Sequence, residues 1–247
     1  MSENQGRTLE ELERLNVMNM YDHELAHIIQ SMQWTGYHKW GFRIYRCTYS
    51  DDEAWLRYVQ YIKDQTISTL NFYGQQSLLE KYLDIQVVEV LELDGASKPH
   101  VKSLFADWAE THRRTEQGGP GSATTFAERM PRFNYCVYVD QACLDTLLTR
   151  EKWSRELEQG DAEKETEMPP SVVCVVIDAN CKPEGEGMDG YEPVEGCTRY
   201  FPGWTYCIID LLTTLYDQLH FEDMSRGLDL YERPPGVPED PDLRMPL

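Results

Sequence analysis

Gly41-Phe42-Arg43-Ile44-Tyr45-Arg46-Cys47-Thr48-Tyr49-Ser50-Asp51-Asp52-Glu53-Ala54-Trp55 decides the fold class. The first nine residues are rich in aromatic and β-favouring types, with apolar or aromatic groups on both faces. That pattern predicts a strand central in its sheet, since only a strand covered on both sides needs two such rows. Ser50 and Glu53 have the spacing of a capping box, in which each satisfies an amide at the start of a helix. The helix they open carries Trp55, Tyr58, Val59, Ile62, Leu70 and Tyr73 on one face, and Gly74 suits its end.

Towards the C-terminus the alternation continues. A short helical stretch at 77–82 precedes a second strand over 85–93, and Asp94-Gly95 is a turn signal. Ser97 starts a helix bearing Val101, Leu104, Phe105, Trp108 and Ala109. Strands are predicted at 133–139, 172–177 and 204–209, with helices at 141–149 and 211–220. The charged stretch 150–168 reads as a solvated helix or as disorder. Before the deciding stretch, Thr8 and Glu11 form a further capping box. They open an amphipathic helix over 8–33 with Leu25, Ile28, Ile29 and Met32 on its apolar face and Gly36 at its end. The expected organisation is an N-terminal helix (1–36), a single domain (37–232) with mobile loops near 115–130, 155–170 and 182–200, and a Pro-rich tail (233–247), extended or disordered. The fold class is α+β: a mixed or antiparallel five-stranded sheet with helices mainly on one face, a ferredoxin-like core being the first expectation.

Of the 247 residues, 41% are apolar, enough for a sizeable core. Lys and Arg total 23 against 43 Asp and Glu, a formal charge of −20. Such a surface repels phosphate backbones and anionic lipid, which argues against nucleic-acid and membrane partners. No apolar run approaches the ~18 residues a membrane span needs, and the polar opening, Met1 to Arg7, does not read as a secretory signal. Seven cysteines, an odd count, then suggest reduced thiols and a cytoplasmic location.

His23-Glu24-Leu25-Ala26-His27 matches the H-E-x-x-H pattern of zinc peptidases. Histidines four apart share a helix face and can grip zinc, while the glutamate activates bound water. Against this, Gln30 and Gln33 occupy the Gly and third His positions of the extended motif, and Glu53 is only one of several acids that could complete the set. Zincins also place strands before this helix, whereas 22 mostly helical residues precede His23. The bland reading is an exposed helix face. Cys136/Cys143 and Cys174/Cys181 invite a metal reading, but six residues separate each pair, too many for a zinc knuckle. Asp94, Asp140, Asp178 and Asp210 each end an apolar run. They could form an acid–base or magnesium cluster, but read better as caps and turns. Cys47 reads as a buried strand thiol rather than a nucleophile. Asp178 to Asp189 fails as a calcium loop at Pro183, and Gly118–Ser122 lacks the ending of a phosphate loop. Trp40, Arg43, Tyr45 and Arg46 belong to the one basic-aromatic patch, either a pocket for an acidic aromatic ligand or the edge of an aromatic core. Pro235-x-x-Pro238 offers a weak polyproline signal.

Trp40-Gly-Phe-Arg-Ile-Tyr-Arg-Cys-Thr-Tyr49 followed by Asp51-Asp52 and Trp55 resembles a signature of a group of uncharacterised ascomycete fungal proteins. Leu93-Asp-Gly-Ala-Ser97, Tyr135-Cys136 through Val139-Asp140, Gly203-Trp204 and Tyr231-Glu-Arg-Pro-Pro235 follow in the same order, so the resemblance spans residues 40–236. It implies a fungal protein and carries over no reaction and no catalytic residue. His23–His27 lies outside it. The sequence thus points to a soluble intracellular protein that binds a protein partner or a small ligand, with no recognised catalytic site and no cofactor. The alternatives are a zinc-dependent metallopeptidase or hydrolase (His23 and His27 as ligands, Glu24 as base) and a small-molecule enzyme with an aromatic pocket near Trp40.

Overall fold

The computed structural model describes residues 25–116, 129–160, 164, 166–182, 190–224 and 231–246. The Thr8/Glu11 capping box, His23, Glu24, the Gly118–Ser122 stretch and residues 183–189 of the Asp178–Asp189 calcium-loop reading lie outside these residues. Among them, helices α1 (Ala26–Thr35), α2 (Asp52–Phe72), α3 (Gln76–Leu79), α4 (Lys98–Thr115), α5 (Pro131–Asn134), α6 (Gln141–Glu158) and α7 (Leu212–Gln218) accompany strands β1 (Arg43–Arg46), β2 (Gln86–Val88), β3 (Tyr135–Val139), β4 (Val173–Asp178), β5 (Trp204–Ile208), β6 (Gly236–Val237) and β7 (Asp240–Arg244).

The fold is α+β, with a five-stranded mixed sheet in the order β2-β1-β3-β4-β5. β1 pairs in parallel with β2 and β3, while β3–β4 and β4–β5 are antiparallel. The ferredoxin-like expectation does not hold. Such a core alternates strand directions, whereas here β1 has parallel neighbours on both sides. Two right-handed crossovers that run in opposite directions across β1 place their helices on opposite faces, and the contacts follow. Phe42 meets Tyr216 at 4.9 Å and the Arg46 guanidinium lies 5.2 Å from the Trp55 ring, on the α2 and α7 side. Tyr45 meets Phe105 at 6.5 Å and Arg43 lies 4.6 Å from Trp108, on the α4 side. α2, α6 and α7, with α1 packed on α7, crowd one face; α4 and the short α5 cover the other.

The two apolar rows of the Gly41–Tyr49 reading are therefore both buried. Trp55, Tyr58, Ile62 and Leu70 on α2 are enclosed, and the Tyr58 hydroxyl donates to the Val173 carbonyl. The helix begins one residue later than its capping box suggests: Asp51 accepts from Ala54 N at 2.8 Å, and Ser50 turns to Gln141 instead. The second strand is shorter than 85–93. It is an edge strand paired only to β1, and Leu91–Leu93 coil into a 3-10 turn that buries Leu93. The charged stretch is helical as far as Glu158, continuing α6. The Pro-rich tail is not a free extension: β6 and β7 pair, Val237 and Met245 are buried, and Tyr206 Oη donates to the Pro246 carbonyl. Arg132 is 1% exposed and fully engaged, donating to Glu116, to the Asp84 carboxylate and to the carbonyls of Asp84 and Gly41. Among the described residues no helix is long and apolar enough to cross a membrane.

Candidate functional site

In open sheets with parallel strands, ligands bind beyond the strand ends where neighbouring crossovers diverge. Here that point lies between the ends of β1 and β3, and the chain's own side chains fill it. Gln141 Oε1 accepts from Thr48 Oγ1 and Ser50 Oγ, Gly95 N donates to the Cys47 carbonyl, and Asp140 caps α6 through Cys143 N at 3.0 Å. Burial, with Asp140 and Asp94 nearby, pushes the Cys47 thiol up to about 12, so it is held as the protonated hydrophobe.

The predicted aromatic patch is split. Trp40 and Arg46 face α7 and α2; Arg43 and Tyr45 face α4. Trp40 donates to the Leu79 carbonyl and lines a void of about 20 Å³ with Ile44, Ile62 and Tyr216. The void holds one water at most. The four aspartates do not converge either. Asp140 is a cap as read. Asp210 accepts from Tyr61 Oη, Asp94 is exposed, and Asp178 accepts from Asn180 N. Among the described residues no group of three His, Cys, Asp or Glu could hold a metal ion.

His27 does not point idly into water, which corrects the exposed-face reading for this residue. Its Nδ1 lies 3.0 Å from Asp217 Oδ2, and that carboxylate raises its pKa. The other oxygen of Asp217 accepts from Ile28 N at 2.9 Å. Asp217 thereby caps α1, whose N-cap residue, Leu25, has no capping side chain. Beside it, Ser31 Oγ and His220 Nε2 are 2.8 Å apart, and burial drives His220 down to about 4.

A cavity of about 850 Å³ opens on the α4 face where that helix stops short of β5. Its floor is sheet: Ile177 and Trp204, directly paired across β4 and β5. One wall is α4, which presents Lys98 and Lys102 one turn apart. The rim is the 190–203 segment, with Glu195, Cys197 and Arg199. Lys98 Nζ lies 2.6 Å from Glu195 Oε1 and 4.2 Å from the Trp204 ring. Lys102 donates to the Cys181 carbonyl and Arg199 to the Lys182 carbonyl. Carbonyl anchoring orients both cations and leaves further N–H donors for a guest, since an ammonium has three and a guanidinium five. Lys98, Lys102, Arg199 and Trp204 escape the sequence reading. Its usable signal was Lys98 and Lys102 four apart on one helix face; Arg199 arrives from a distant loop that no local pattern reaches.

No protein-family model, curated protein or solved structure matches this chain.

Proposed function

We propose that this protein binds a small anionic ligand with an apolar portion in the cavity between α4 and the 190–203 rim. The observation that carries the reading is the convergence of Lys98, Lys102 and Arg199 on one apolar-floored cavity in a chain of formal charge −20. A volume of about 850 Å³ falls within the ~300–1,000 Å³ range of cofactor- and metabolite-sized sites. Negative potential elsewhere on the molecule turns away polyanions, so a compact anion suits the site better than a nucleic acid. A location in the cytoplasm and the fungal resemblance accord with this role and do not specify the ligand.

Titration with anilinonaphthalene sulfonate, an anionic apolar dye, tests the reading by fluorescence. Arg199→Glu and Lys102→Glu should each weaken binding at least tenfold, and Trp40→Phe should leave it unchanged. Equal binding by wild type and Arg199→Glu overturns it.

A second reading, the zinc hydrolase, has one observation in its favour. Metal-bound histidines commonly give their other ring nitrogen to a carboxylate, and Asp217 takes Nδ1 of His27, leaving Nε2 available. His23 would be the second ligand and Glu24 the base. Stoichiometric zinc in the purified protein, lost in His23→Ala, would favour it over the binding reading.

A further inference from the structure

Five of the seven cysteines, Cys47, Cys136, Cys143, Cys174 and Cys207, are buried. Cys181 and Cys197 are partly exposed, and both line the cavity. One guanidinium, that of Arg199, lies beside both thiols, with Cys197 the first influence that holds it charged. The two sulfurs reach Arg199 from separate segments. Cys181 follows β4 and lies against Gly203, where an added Cβ would stand 3.3 Å from its sulfur. Cys197 sits in a rim turn that pairs with Val194. A cation beside a thiol favours the thiolate, and reactive cysteines occupy partly exposed, electropositive sites of this kind. Burial raises the Cys181 thiol, against the pull of Lys102 and Arg199. Disulfide exchange uses such a pair, one thiol attacking and the other resolving.

We propose that Cys197 and Cys181 form a dithiol that is oxidised by a small-molecule disulfide entering the cavity. The Cys197 thiolate attacks one sulfur of that disulfide. The small molecule's S–S bond breaks, a mixed disulfide forms, and the leaving thiolate takes up the proton that Cys197 gave up. The Cys181 thiolate then attacks the Cys197 sulfur, breaking the mixed disulfide and releasing the second small thiol. The protein loses two electrons and two protons and gains a Cys181–Cys197 bond; the small disulfide gains both and becomes two thiols. This assignment shares the cavity proposed above. Only its preference for an anionic oxidant rests on that reading.

The full-length protein is incubated with glutathione disulfide, an anionic oxidant, and followed by intact mass and peptide mapping. Wild type should lose two hydrogens and map to a Cys181–Cys197 link. Cys181→Ser should stop with one glutathione on Cys197, and Cys197→Ser should react at least tenfold more slowly. Modification spread over the buried cysteines, or Cys197→Ser reacting as fast as wild type, overturns the dithiol. Cystamine, a cationic disulfide, separates the two proposals. Equal rates with both oxidants at the same cysteine pair support the dithiol and tell against the anion site. Dye binding that is intact beside an inert Cys197 overturns the dithiol alone.

Discussion

The two faces of the main sheet are covered differently. On one, α2, α6 and α7 lie side by side with α1 behind them, and the void beside Trp40 shrinks to about 20 Å³. On the other, α4 packs on β3 and β4 and stops short of β5, so the β5 side is roofed by an irregular segment and a cavity of about 850 Å³ remains. The central strands are buried throughout, so chain connectivity decides where a cavity is left. The packed face carries stability, and the open face is where the proposed ligand would be recognised.

The contrast is broken most sharply at Trp55. It is fully buried, stacks on Tyr58 at 6.2 Å and donates to Glu89 Oε1. Trp55→Ala should destabilise the protein by about 3–5 kcal/mol in urea unfolding, with dye affinity at the open face unchanged under native conditions. His220, on the packed face, gives the next effect. Burial lowers its folded pKa to about 4 from the usual 6.5, so the unfolded chain binds the extra proton between these values. The contribution is complete above pH 6.5 and is lost as pH falls to 4, by up to about 3 kcal/mol. Asp178 opposes it: burial raises that carboxyl to about 6 from 3.8, which favours the fold as pH falls through the same range. The His220 component is therefore read as the difference in acid unfolding between wild type and His220→Gln, the variant losing less stability. Asp217→Ala removes both the α1 cap and the His27 pair and should cost about 2 kcal/mol by the same urea assay. Smallest in stability is Arg199→Glu, within about 0.5 kcal/mol of wild type, although it should weaken dye binding at least tenfold. A large stability loss there would show that the open face is structural as well.

The packed face was legible in the sequence because its signals are local. Trp55, Tyr58, Val59, Ile62 and Leu70 fall on one helical stripe and are all buried. The two-sided apolar pattern of Gly41–Tyr49 marks a strand covered from both directions. Length was less readable: the 85–93 run contains residues enough for a long strand, but with one neighbour it keeps only Gln86–Val88. The cavity could not be read. Its cations come from α4 and from a loop about a hundred residues later, and only the sheet order brings them together. The patch that seemed a pocket, Trp40 to Arg46, alternates in and out of β1, so a strand's twofold period sends its members to opposite sides. Asp217 was equally hidden, since a carboxylate that caps another helix has no signature in its own segment.

The rim of the cavity fastens to itself. Tyr191 N donates to Thr198 O, and Val194 and Cys197 exchange main-chain bonds across a turn. The floor beneath it, Ile177 and Trp204, belongs to the sheet. From outside the rim, Tyr231 donates to the Tyr200 carbonyl and Arg233 to those of Arg199 and Cys197. Apart from the buried Val194, residues 191–200 carry exposed or half-buried side chains, which makes this strip the natural place to diversify a library aimed at new guests.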